Sequence, residues 1–207
     1  MPEAPLFPAI GWGSLGPLLL ISLAIMGSPG PATMSLVAAG SVYGVRGSLR
    51  YLVGVILGTT TVLVAVATGI TAALQAVPAI GSALLGISTA YVLWLAYRIA
   101  TAPPLARHTA AMEAPSLAGG ALLGVANPKA WVGIAAVFAS AHLADDAATD
   151  AAAKIAVLTA MIVMIMSTWL VAGTSLAPML REPRRARVVN AALAMILVGA
   201  TVLALGR

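Results

Sequence analysis

Long uncharged runs limit this chain's fold more than any other feature. No Asp, Glu, Lys or Arg occurs from Ala4 to Val45, or from Tyr51 to Tyr97. Ile155–Leu180 and Val188–Gly206 are further runs, and Lys129 alone interrupts the stretch from Ala114 to Ala144. A membrane-crossing helix needs about 20 mostly apolar residues, and these runs supply several. Composition agrees. Of 207 residues, 61% are hydrophobic and 8% charged, against roughly 25% charged in a soluble domain. A soluble enzyme, a nucleic-acid-binding protein and a disordered chain are thereby excluded. The net charge of +5 and pI near 10.3 then report membrane topology rather than an affinity for nucleic acid. With no cysteine, disulfides, thiol redox chemistry and thiolate metal sites are ruled out.

The first run holds one span, about Leu15–Ser41. The second is too long for one helix, and Gln75 and Pro78 divide it into spans near Arg50–Ile70 and Ala79–Ala100. The fourth span is about Ser116–Leu143, the fifth Lys154–Leu180 and the sixth Val188–Leu205. The expected fold is an all-α membrane protein of six transmembrane helices, with residues 1–207 forming one integral-membrane domain. Repeat A covers about 10–100, a linker 101–115, and repeat B about 116–207. Glu3 stands where a secretory signal would carry basic residues.

Six spans place alternate loops on alternate sides. Arg46 and Arg50 fall between spans one and two, Arg98 and Arg107 between three and four, and Arg181, Arg184, Arg185 and Arg187 between five and six. The other side holds Lys154 and Arg207 with Asp145, Asp146 and Asp150. The positive-inside rule puts the first set in the cytoplasm and both termini outside.

Two spans are interrupted. Span one contains Ser28-Pro29-Gly30-Pro31, and span four contains Asn127-Pro128-Lys129. Proline lacks the helical donor and pushes the preceding residue out of the α region. Each site reads as a helix stop followed by a restart, with Ser28 or Asn127 as N-cap and proline as the first helical residue. Each restart exposes free N–H groups and a positive dipole end inside the membrane. Pro31 lies about ten residues from the cytoplasmic end of its span, roughly 15 Å, and Asn127 lies at a similar depth. Thr59, Thr60, Thr61 and Tyr91 fall into the same slab. The motif Gly27-x-x-x-Pro31 matches Gly124-x-x-x-Pro128, so the halves read as inverted three-helix repeats, each with a broken first span. Transporters of that kind bind substrate at the midplane, beside the breaks.

Lys129 is the one charge this reading puts deep in a span. A charge at the bilayer centre costs at least about 2.5–3.5 kcal/mol on insertion scales, and the adjacent helix N-terminus adds repulsion. A bound carboxylate or phosphate would relieve both. Alternatively Lys129 snorkels, binds backbone carbonyls, or itself releases and regains a proton. The acids Glu3, Glu113, Asp145, Asp146, Asp150 and Glu182 all fall outside the spans, which argues against divalent cations, since these want carboxylate oxygens. His108 and His142 fall in loops or at membrane edges, so no hydrolytic triad can converge. Trp131 lies close enough to the break in span four to line a path.

These residues resemble the lysine exporter (LysE/RhtB) family of bacterial amino-acid exporters. The resemblance rests on Pro29-Gly30-Pro31-Ala32 followed by Gly40, Gly44, Arg46, Gly47, Gly54 and Gly58, then on Tyr91-Val-Leu-Trp94-Leu-Ala-Tyr97-Arg98. Its third part is Gly119-Gly120-Ala-Leu-Leu-Gly124-Val-Ala-Asn127-Pro128-Lys129-Ala130. The family usually has Asn where this chain has Ala32. The resemblance implies an inner-membrane, proton-antiporting exporter of a neutral amino acid or small zwitterion. It needs no cofactor and no metal, is not an enzyme, sits in the lipid bilayer, and forms a homodimer. Substrate would meet Pro29, Gly30, Pro31, Ala32, Asn127, Pro128 and Lys129, walled by Thr59, Thr60, Thr61, Tyr91 and Trp131. A metal or other inorganic-ion exporter on this scaffold, and a non-transporting membrane subunit, are the alternatives.

Overall fold

The structure, a computed structural model, describes residues 12–69, 86, 89–90, 93–97, 99–101, 115–175, 178 and 182–205. Every regular element among them is a helix, as expected where lipid leaves the backbone no other hydrogen-bond partner. They are α1 (Trp12–Met26), α2 (Pro31–Ala67), α3 (Leu117–Ala126), α4 (Pro128–Ala139), α5 (Ala147–Thr174) and α6 (Pro183–Leu205). Most of the expected third span, including Tyr91 and Arg98, lies outside the described residues, as does Arg107 in the linker.

Local chemistry sets the helix ends. At the close of α1, Gly27 N–H donates to Leu23 O (3.0 Å) and the Ser28 hydroxyl donates to Ile25 O (2.8 Å), satisfying carbonyls of the last turn. Helix α2 opens with Pro31 in its first turn and an extended Gly30 as N-cap. The expected N-cap Ser28 is therefore corrected: the break is longer than one residue, and Ser28 serves the end of α1 instead. Asn127 does cap α4, its Oδ1 accepting from Lys129 N–H at 3.2 Å. Ser116 caps α3 through Gly119 N–H. Asp146 caps α5 by accepting from the Thr149 N–H and hydroxyl, both at 2.9 Å, and these bonds hold its carboxyl below the usual carboxylate range.

The 37 residues of α2 reach about 55 Å at 1.5 Å per residue, nearly twice the hydrocarbon thickness of about 30 Å. One residue divides them. Gly44 has φ 68° and ψ 179°, a conformation essentially reserved for glycine. The expected loop carrying Arg46 and Arg50 is thus a kink at Gly44, and both arginines are exposed helix residues. Residues 31–43 and 45–67 are the two straight parts on either side of Gly44.

Helix α2 organises the packing. Its first part lies against α5 and its second against α3, and both contacts are close because they are built on glycine. A Cβ on Gly173 would stand 2.2 Å from Val37 O, and one on Gly40 2.3 Å from Leu170 O. Across the α2–α3 seam, Gly58 faces Ala121 O (2.3 Å) and Gly124 faces both Thr59 N and Val55 O (2.7 Å). Fully buried Leu36, Tyr51, Leu63, Leu123, Ile134 and Ile162 fill the space between helices. Leu20, Val132, Val188 and Met195 face outward, as they can when the solvent is lipid.

Helices α2 and α5 are long and apolar enough to cross a membrane. The pair α3–α4, bent by 58° at Asn127, is a third candidate if it forms one span, and Gly13–Met26 is a shorter apolar helix. The molecule is therefore an all-α membrane protein.

Two expectations about charge need correction. Asp150 was expected in an acidic linker and Lys154 at the very start of span five, but both lie inside α5, buried, and pair at 2.8 Å. Asp150 also accepts from Leu143 N–H at 2.6 Å, and the Lys154 ammonium sits 4.8 Å from the Phe138 ring centre. The helix simply starts earlier than the apolar run, at the Asp146 cap. Replacing Lys154 with Met should lower stability by about 3–5 kcal/mol, because the Asp150 charge stays buried without its partner. A thermal melt of the purified protein reads the loss.

Candidate binding site at the two helix breaks

The broken spans converge on one cavity of about 30 Å³. Its lining comes from the end of α1 (Ile25, Met26), the α2 cap and first turn (Gly30, Ala32, Thr33) and Thr59. The α4 side adds Asn127, Lys129, Ala130, Gly133 and Ile134, and Met166 of α5 completes it. A water needs roughly 10–15 Å³ of such space, so the volume suits one or two waters.

The two half-helix N-termini differ. At α4 the donors are already satisfied: Pro128 has none, Lys129 N–H goes to Asn127 Oδ1, and Ala130 N–H goes to Asn127 O at 2.9 Å. At α2 the cap is glycine, with no side chain to offer. Gly30 N–H takes the Thr33 hydroxyl at 2.8 Å, but the N–H groups of Ala32 and Thr33 have no acceptor among the described residues. Both residues are buried, 2% and 3% exposed. Buried donors left unmet cost about 1–3 kcal/mol each, so this end of α2 is built to receive an acceptor. The Thr59 hydroxyl, also buried, has no hydrogen-bond partner either.

Lys129 reaches across from α4 to the other side of the break. Its Nζ donates to Ser28 O in a short hydrogen bond, and to Pro29 O at 3.2 Å. Backbone carbonyls, one of the alternatives open from sequence, are thus its partners here. The stem passes over Gly30, where a Cβ would lie 2.7 Å from Lys129 Cδ. The break therefore carries two opposite poles: open N–H donors at the start of α2, which line the cavity, and carbonyls just beyond the negative end of α1, which the Lys129 ammonium reaches.

Comparison with known proteins decides the family. Residues 23–207 match the LysE type translocator family. The chain belongs to the LysE type translocator family. Over 77 residues it is also 40% identical to proteins described as cysteine/O-acetylserine efflux proteins in Salmonella typhi, Salmonella paratyphi A and Salmonella typhimurium strain LT2. That stretch is 37% of this chain and 39% of theirs, so the chain spans about two fifths of the length of these curated relatives. No solved structure matches. Membership marks a transporter rather than an enzyme.

Within this LysE translocator, the residues singled out from sequence separate into groups. Gly30, Ala32, Thr59, Asn127 and Lys129 line the cavity. Pro29 contributes its carbonyl, while Pro31 and Pro128 set the helix starts beside it. Thr60 and Thr61 do not line it: successive helical residues point about 100° apart, and the Thr61 hydroxyl turns back to Leu57 O at 2.9 Å. Trp131 is likewise no wall of the cavity. Its indole N–H donates to Val125 O at 2.6 Å, satisfying a carbonyl freed by the α3–α4 break. Trp169 does the same for Gly27 O at 3.1 Å beside the other break. Tyr91 lies outside the described residues.

Sequence reasoning missed Ile25, Met26, Thr33, Ala130, Gly133, Ile134 and Met166. Thr33 had a usable signal, since a hydroxyl three residues after an N-cap is the register of a capping box. Met166 had none, being one of several methionines in an apolar helix.

Proposed function

We propose that this translocator exports small neutral amino acids from the cytoplasm across the inner membrane, coupled to proton entry. One observation carries the reading: unmet N–H donors of Ala32 and Thr33 and the Lys129 side chain line one cavity, and the Lys129 ammonium bridges from it to the carbonyls of Ser28 and Pro29 at its edge. A zwitterion matches both poles. Its carboxylate takes the α2 N–H groups and Lys129, and the unmet Thr59 hydroxyl gives a further hydrogen bond. The lining holds no acid to pair with a cationic side chain, while Ile25, Met26, Ile134 and Met166 suit a small, mostly apolar one. The descriptions of the Salmonella proteins, whose cysteine and O-acetylserine are both neutral amino acids, support the same substrate class. Among the described residues no group of His, Cys, Asp or Glu could hold a metal ion, so an inorganic-ion reading gains no support.

In this reading six spans form two inverted three-helix repeats, at about 10–100 and 116–207, joined by a linker. Both termini lie outside, and two copies associate as a homodimer. The two helix breaks and the clustering of arginines beside the Gly44 kink and in the first turn of α6 support that arrangement. Export is tested in cells loaded with dipeptides of neutral amino acids, by following the free amino acid in the medium with and without the protein. Faster release of a neutral amino acid is expected, with no change for lysine. Equal release in both cells contradicts the reading. Thr59→Val should raise the half-saturating substrate concentration about tenfold, the effect of one hydrogen bond to a charged group, and efflux kinetics at matched protein levels read it.

A further inference from the structure

We infer that the carbonyls of Ser28 and Pro29 are the seat of the substrate's α-ammonium, and that Lys129 occupies this seat as an internal stand-in until substrate displaces it. The inference rests on the amino-acid reading above and extends it to what happens at the site. A lysine ammonium and an α-ammonium are the same hydrogen-bonding group, three N–H donors on a single positive charge. The Lys129 Nζ already makes the bonds the substrate's nitrogen needs, to Ser28 O and to Pro29 O. These carbonyls lie just beyond the negative end of α1, where a cation is favoured. Glycine at position 30 lets the stem lie across the break, since a Cβ there would stand 2.7 Å from Cδ and 3.1 Å from Nζ.

The rest of the site is asymmetric in the way this requires. The cation pole is filled by the protein's own lysine. The anion pole is open: Ala32 and Thr33 N–H have no acceptor among the described residues, and the Thr59 hydroxyl, 3% exposed and facing the cavity, has no partner. With Lys129 in place the cavity volume is about 30 Å³, room for one or two waters. Two cations cannot share the seat. Entry of the substrate nitrogen therefore drives Nζ away, which enlarges the cavity, and the substrate carboxylate supplies the partner that Lys129 loses. A ligand with an ammonium but no carboxylate offers no such compensation, because it would leave the half-buried Lys129 ammonium without a partner. A ligand with a carboxylate but no ammonium cannot replace Nζ at the seat. The site thus selects free α-amino acids through an exchange of partners.

The test is calorimetric binding to the purified full chain, using L-serine, N-acetyl-L-serine and ethanolamine, which is serine without its carboxylate. The wild type is expected to bind serine, to bind N-acetylserine at least 100-fold more weakly, and to give no signal with ethanolamine. In Lys129→Met and Lys129→Gln, each checked for a normal melting transition, the seat is vacant. A measurable ethanolamine signal should then appear, while serine affinity falls. Folded variants that gain nothing for ethanolamine overturn the stand-in role, even if serine binds the wild type. N-acetylserine binding the wild type as tightly as serine overturns the ammonium seat, and this comparison needs no variant to fold. Failure of the folded wild type to bind serine, cysteine or any other neutral amino acid instead removes the amino-acid reading, and the seat with it.

Discussion

Leucine in place of Gly124 is expected to abolish transport, by more than 100-fold, because the α2–α3 seam can no longer close. A Cβ at this position already meets Thr59 N and Val55 O at 2.7 Å, and the carbon of Gly58 at 2.9 Å. All three obstacles are backbone atoms of one helix. They cannot rotate aside as a side chain would, so α3 must move off α2 by more than an ångström. Overpacking a core commonly costs about 1–3 kcal/mol when side chains can adjust; here they cannot, and the cost is at the upper end or beyond. The same displacement moves Asn127 and Thr59, which face one cavity from the two helices. A natural control is Gly199, where an added Cβ meets nothing within 4 Å. Gly199→Ala should leave stability unchanged or raise it by about 0.5–1 kcal/mol through helix propensity. Detergent melts of both variants, with transport measured at equal protein, separate local packing damage from a general intolerance of substitution.

The second large effect is expected at Lys129. Lys129→Met should reduce amino-acid export at least 100-fold while leaving the melting temperature nearly unchanged. Two contributions to stability oppose each other. The variant leaves the partly buried Ser28 carbonyl and the exposed Pro29 carbonyl without their donor, a cost of about 0.5–1.5 kcal/mol. It also removes a half-buried charge, which offsets that cost. Transport enjoys no such cancellation, because a buried carboxylate deprived of its cationic partner loses about 3–5 kcal/mol. Lys129→Arg should not restore activity. The planar guanidinium is bulkier than an ammonium and fixed in its geometry, and Gly30 leaves only a narrow channel for the stem. A large loss of stability with proportionate loss of transport would instead mark Lys129 as a strut between α4 and the break.

The helix breaks were legible because proline acts locally. Pro31 and Pro128 each set a helix start wherever they fall, and Asn127 could be read as a cap from its neighbour alone. Which N-terminus stays open was not legible. That depends on Gly30 lacking a side chain and on the Asn127 amide already meeting Lys129 N–H. The basic pair Arg46 and Arg50 suggested a loop, because charge was the only boundary marker in view. The turn is made instead by Gly44, whose left-handed backbone has no signature beyond the glycine itself. Asp150 and Lys154 stand four apart, the spacing of a helical ion pair, so their pairing was readable once the Asp146 cap was recognised as the true start of α5. The three adjacent threonines show the limit of a run. Helical rotation turns one of them, Thr59, into the cavity, and no feature of the three letters says which.

The most direct test is counterflow in proteoliposomes, preloaded with one neutral amino acid and given a trace of its labelled form outside. Saturable accumulation of labelled serine or cysteine is expected, competed by other small neutral amino acids and not by lysine, glutamate or N-acetylserine. Exchange of a divalent cation with no exchange of any zwitterion would contradict it.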